Sequence, residues 1–134
     1  MDNCIFCKLA SGEIPTTKVY EDELCIASLD INPAAPGHTL IIPKAHHQDL
    51  TDNMDETLLG HLFSVAAIIG RRGKERLNAD GFNVIQNNGT AAGQSVMHFH
   101  VHVIPRYEND GIFEFWKPTS PDAKELAVVA EKLS

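Results

Sequence analysis

From Met97 to Val103 the chain alternates apolar and imidazole side chains: Met97-His98-Phe99-His100-Val101-His102-Val103. Alternation with period two marks an extended strand, because successive side chains point to opposite faces. The spacing predicts a strand over Gln94–Ile104, with Met97, Phe99, Val101 and Val103 facing a core. His98, His100 and His102 then share the other face with Val96 and Ile104. Neighbouring histidines on that face stand roughly 6.5–7 Å apart. A neutral imidazole titrates near pH 6.5, so such a row suits proton transfer, nucleophilic attack or metal binding. A straight strand spreads the three rings too far for one ion to take them all.

The rest of the chain supplies partners for that strand. Lys18–Tyr20, Leu24–Leu29, His38–Ile42 and Phe82–Gln86 read as short strands, separated by turn residues such as Asn32-Pro33 and Pro36-Gly37. Met54, Leu58, Leu62, Val65 and Ile69 recur at helical spacing, with Asp52 or Asn53 as a candidate cap and Arg71, Arg72 and Lys74 near the end. Ser120-Pro121 predicts the start of a terminal helix that turns Leu126, Val129 and Leu133 inward. Strands, helix, strands and helix in that order predict an α+β domain with an antiparallel sheet and its helices on one side. The 134 residues suit one domain spanning 1–134.

Composition excludes several functions. Eleven Lys and Arg against eighteen Asp and Glu give a formal charge of −7, which argues against nucleic acid or an anionic membrane as a partner. No apolar run reaches the ~18–20 residues of a membrane span, and Met1-Asp2-Asn3-Cys4 lacks a signal-peptide pattern. Three cysteines, an odd number, fit a reducing compartment, so a cytoplasmic protein is expected. Cys25 reads as a core residue, and His38 and His61 as structural.

The loop before the histidine strand carries Asn87, Gly89 and Gly93-Gln94-Ser95. Neutral donors and close-approaching glycine backbone suit the oxygens of a phosphate beside a histidine nucleophile, with Ser95 able to relay a proton. Cys4-x-x-Cys7 has zinc-ligand spacing. By itself the pair is half a zinc site or a coincidence of the N-terminus.

At this point the sequence resembles the histidine triad family. His98-Phe99-His100-Val101-His102-Val103-Ile104 matches the motif of three histidines separated by apolar residues. Cys4-Ile5-Phe6-Cys7, Gly12-Glu13-Ile14-Pro15, Val19-Tyr20-Glu21-Asp22, Asp30-Ile31, Gly37–Lys44, Gly93-Gln94-Ser95-Val96 and Pro105-Arg106 resemble the nucleotide-binding branch of that family. The resemblance implies a five-stranded antiparallel sheet with one long central helix and a C-terminal helix, in a homodimer. It implies a hydrolase or transferase that cleaves AMP or GMP conjugates, AMP-amine and AMP-lysine compounds in particular, and releases the monophosphate.

In that reading His100 is the nucleophile, His102 contacts the phosphate and His98 supports the site. Asn87, Gly93, Gln94 and Ser95 meet the phosphate or relay protons. Asp30 grips the ribose, and Ile5, Phe6, Leu9 and Ile31 form the base pocket. Ser28 departs from the family pattern, which usually has Phe there. The same resemblance implies a structural zinc on Cys4, Cys7, His46 and His98, with His47 at the surface, and no organic cofactor. Otherwise the cysteines are small apolar fillers and His98 bonds only a backbone carbonyl. The segment Gly111–Trp116 is implied to approach the partner subunit's site. A dinucleoside polyphosphate hydrolase and a zinc-stabilised nucleotide-binding scaffold are the alternative functions.

Overall fold

The computed structural model describes residues 3–113 and 115–134. Its elements are α1 (Ile5–Ser11), β1 (Lys18–Glu21), β2 (Cys25–Leu29), β3 (Thr39–Pro43), α2 (Glu56–Arg76), β4 (Gly81–Gln86), β5 (Val101–Arg106) and α3 (Ala123–Leu133), with a short 3-10 turn at Thr90–Ala92. The five strands form one sheet in the order β1-β2-β3-β5-β4, and every neighbouring pair is antiparallel. The predicted α+β class and five-stranded antiparallel sheet are those observed.

β2 and β3 are buried along almost their whole length because both faces of the sheet are covered. On one face Cys25, Ala27, Ile41, Val101 and Val103 meet Leu62, Val65, Ala66 and Ile69 of α2. On the other, Ile26, Leu40 and Ile42 meet Phe6 and Ala10 of α1. The helices therefore lie on both faces of the sheet, not on one. α1 has too few residues to show a helical period in the sequence. Its end is marked by Gly12, which takes φ 85° and closes the helix with its N–H on Leu9 O.

Three local expectations are corrected. The ladder of β5 begins only at Val101, because the backbone of the preceding segment bonds to the loop after β3: Phe99 N–H donates to His47 O at 2.6 Å. Met97 is consequently exposed, while Phe99 stays in the core. α2 is capped by Asp55, whose carboxylate accepts from Thr57 N, since Asn53 is in a left-handed turn with φ 46°. α3 is capped by Asp122 rather than Ser120, and Leu126, Val129 and Leu133 are exposed. Among the described residues no helix is long and apolar enough to cross a membrane.

Leu62 is fully buried at the centre of the α2 face, so Leu62→Ala is expected to cost about 2–5 kcal/mol. Gly37 has φ +90°, and a Cβ there would meet Leu77 Cδ1 at 2.5 Å and Pro105 Cγ at 3.2 Å. Gly37→Ala is expected to cost on the order of 1–2 kcal/mol from the backbone conformation alone. Denaturant unfolding of both variants checks these expectations, and a change below about 0.5 kcal/mol in either contradicts its assignment.

Candidate active site

The site is assembled where α1, the loop after β3 and the histidine segment converge. Cys4 is the N-cap of α1, and its Sγ accepts the N–H of Cys7 at 3.4 Å. Across from this pair, Cys4 Sγ lies 3.3 Å from His98 Nδ1 and Cys7 Sγ lies 3.3 Å from His46 Nδ1. Cys7 Sγ is 3.5 Å from His98 Nδ1, and the two Nδ1 atoms are 3.1 Å apart. Four donors this close, with no bulky group between them, match the edges of a tetrahedron with bonds of about 2.0–2.3 Å. The set is the Cys₂His₂ combination of closed structural zinc sites.

His98 is fully buried, and its Nε2–H donates to Pro43 O at 2.9 Å. That bond places the ring proton on Nε2 and leaves the Nδ1 lone pair for the Cys/His cluster. The His98 carbonyl in turn accepts from His100 Nδ1 at 2.7 Å. His100 therefore carries its proton on Nδ1, and its Nε2 lone pair is free. Phe6 stands edge-on to the His100 ring, with centroids 4.8 Å apart.

The third ring is fixed by a histidine that the sequence reading assigned to structure. Ala34 N–H donates to His38 Nδ1 at 2.9 Å, so the His38 proton is on Nε2. His38 Nε2 lies 2.9 Å from His102 Nδ1 and donates to it. His102 must then hold its own proton on Nε2, on the far side of the ring. The Asp30 carboxylate stands 3.6 Å from His38 Nε2 and completes this edge of the site. His38 thereby holds the ring of His102, and the pairing of Leu40 with His102 across β3 and β5 brings the two together.

Burial keeps these rings neutral. It pushes His102 down to about 4, helped by repulsion from His100 and His38. Burial also lowers His100 and His38, with Asp30 opposing the shift in both. The tautomer chain is thus intact across the neutral range.

His100 and His102 open onto a cavity of about 510 Å³. Ile5, Phe6, Leu9, Asp30, Ile31 and Ser95 line it, as do Ser28, Thr16 and Ile14. Asn87 and Gly93 sit side by side, with Asn87 Nδ2 3.5 Å from where a Cβ on Gly93 would be, and are not in this lining. Gln94 is buried and its side chain is committed: Nε2 donates to Gln48 O and Val96 O, and Oε1 accepts from Gly89 N. It staples the loop, whereas the sequence reading gave it to the phosphate. His47 is half-buried and holds Asp52 O with its ring. His61 bonds the Asp22 carboxylate away from the site. Cys25 is buried in the core. In the segment Gly111–Trp116, Trp116 is exposed and Glu114 lies outside the described residues.

A fold with one five-stranded antiparallel sheet and three histidines on alternate positions defines a class, and comparison with known proteins agrees with it. The family described as the HIT domain matches residues 11–109. The chain belongs to that family. It is similar to "Protein hit" of Bacillus subtilis, at 45% identity over 92% of this chain and 85% of the relative. It is also similar to "Adenosine 5'-monophosphoramidase HNT1" of Saccharomyces cerevisiae, at 41% identity over 97% of this chain and 80% of the relative. Among solved structures it resembles a zinc-bound histidine triad family protein from Mycobacterium smegmatis, with a TM-score of 0.79, 38% identity and 98% coverage of both chains.

The tautomer chain makes a spectroscopic prediction. Nitrogen NMR of the imidazoles is expected to show His102 protonated on Nε2 and still neutral well below the ordinary histidine value of about 6.5. His38→Ala is expected to release the ring into a mixture of both tautomers. A His102 ring that titrates near 6.5 in the native protein, or keeps one tautomer in the variant, contradicts the assignment.

Proposed function

We propose that this protein is a nucleotidyl hydrolase that cleaves the P–N bond of nucleoside phosphoramidates, AMP-amine and AMP-lysine compounds in particular, through a covalent intermediate on His100. The observation that carries the reading is the pair of tautomers: a free Nε2 lone pair on His100 next to an Nε2–H on His102, in one cavity. A nucleophile and a donor are thereby set side by side without a cation. The name of the yeast relative, a monophosphoramidase, favours the P–N substrate class.

The chemistry balances as follows. His100 Nε2 attacks phosphorus and forms a P–N bond to the ring while the bond to the leaving amine breaks. The amine leaves with a proton relayed through the Ser95 hydroxyl or from His102 Nε2–H. Water then attacks phosphorus, the bond to His100 breaks, and the water's proton returns to the site as the monophosphate departs. His102 and Ser95, which line the cavity, meet the phosphate oxygens, and the adjoining Asn87–Gln94 loop, with Gly93, is assigned to the phosphate from the resemblance alone. Asp30 accepts from the ribose hydroxyls. Ile5, Phe6, Leu9 and Ile31 enclose the base.

Cys4, Cys7, His46 and His98 would hold a structural zinc, which when bound clamps the N-terminus to the histidine segment. Stable free thiols suit the reducing cytoplasm. A homodimer fits the edge of the sheet: β4 has an open side, with Phe82 and Val84 exposed on one face. Phe82 lies against Gly70 of α2, and Phe63 is exposed two turns earlier on that helix. An open edge with apolar neighbours is stabilised by pairing with a second copy.

Acid-quenched mass spectrometry with an AMP-amine substrate is expected to trap an adenylylated peptide containing His100. His100→Ala is expected to lose at least about 100-fold in turnover while still binding AMP. Retained turnover in that variant contradicts the reading. Elemental analysis is expected to find stoichiometric zinc in the native protein and a loss of both zinc and thermal stability in Cys7→Ser. A native protein that never acquires zinc when supplied with it contradicts the metal assignment.

A further inference from the structure

Ser28 is 2% exposed and is the buried hydroxyl in the wall of the cavity, which Leu9, Ile14, Leu40 and Ile42 also line. A buried hydroxyl has to be hydrogen-bonded. Ser28 Oγ donates to Thr17 O at 3.3 Å and is also bonded to Thr16 Oγ1. Each hydroxyl has one proton. With the Ser28 proton on Thr17 O, Thr16 must donate its own to Ser28. Thr16 also lines the cavity, and its Oγ1 has no other partner among the described residues. It therefore presents only lone pairs to whatever occupies the cavity.

The position of this acceptor is set by strand register. Ser28 pairs with Leu40 across β2 and β3, and Leu40 pairs with His102 across β3 and β5. Ser28, Leu40 and His102 thus form one row across the sheet on the cavity face. Two strand spacings separate its ends, roughly 10 Å. A nucleoside monophosphate that places phosphorus at His100 and His102 and lies over Leu40 is long enough to bring the far edge of its base to this wall. Asp30, two residues after Ser28, reaches the sugar between the two ends.

We infer that Thr16, oriented by Ser28, is a specificity residue that selects nucleobases bearing an exocyclic amine. The inference rests on the nucleotide reading proposed above and adds to it that the base is read by a hydrogen bond as well as enclosed by apolar walls. The amine N–H donates to Thr16 Oγ1. A base with no donor at that edge covers the lone pairs of the half-buried Thr16 without pairing them, which is where discrimination arises.

The test uses two pairs of compounds that differ only by the amine. The phosphoramidates of adenosine and of purine riboside, with the same leaving amine, are compared by kcat/KM. AMP and purine riboside monophosphate are compared by calorimetric binding to His100→Ala. Native protein is expected to favour the amine-bearing member about tenfold in both assays. Thr16→Val is expected to bring both ratios close to one, and Thr16→Ser, which keeps the hydroxyl, to preserve them. Equal handling of the two bases by the native protein overturns the inference while leaving the hydrolase reading in place. A binding preference that vanishes in Thr16→Val supports the inference even if neither phosphoramidate is hydrolysed, in which case it is the hydrolase reading that fails. A preference that survives in Thr16→Val also overturns the inference.

Discussion

His98 is held at three points, and the geometry of the site follows from that. Its Nδ1 joins Cys4, Cys7 and His46, its Nε2–H is spent on Pro43 O, and its carbonyl takes the proton of His100 Nδ1. One residue thus ties the N-terminal helix, the loop after β3 and the His100 ring into a single frame. A carbonyl held in place decides which nitrogen of the next ring carries the proton. Without that decision a neutral imidazole would divide between two tautomers, and only one of them presents a lone pair to the cavity.

The same logic bears on how an acidic protein would meet the phosphate of the proposed substrate. The formal charge of −7 argues against a broad cationic surface. In the proposed reading the donors are neutral: an imidazole N–H at His102, the Ser95 hydroxyl and backbone amides. Burial makes the rings poor bases, since it opposes a charge on each of them. A low-dielectric cavity also strengthens each dipole directed into it. The carboxylate of Asp30 lines the same cavity and faces His38, at 3.6 Å from its Nε2.

Much of this was legible in the chain, for particular reasons. The β2 and β3 runs and the period of α2 survived folding because apolar burial enforces them. The histidine alternation put Phe99 into the core correctly, yet misplaced Met97, because the segment before Val101 bonds to the His47 loop and has no strand partner. α1 was missed because seven residues carry no periodic signal. The terminal helix was assigned an inward apolar face from its spacing, but spacing shows only that a face exists, not that anything covers it.

His38 shows most clearly where sequence reasoning stops. A single histidine beside a turn gives no local sign of purpose, and its partners Ala34, Asp30 and His102 are joined to it by a turn and a strand register. The same holds for Thr16 and Ser28, which meet only because β1 folds back along β2. The sequence by itself determined the kinds of chemistry available: three histidines with a common side, a cysteine pair, and a strand set able to present them. The tertiary structure decided which nitrogen of each ring holds a proton and which residues share a cavity, because those depend on atoms brought together from distant parts of the chain.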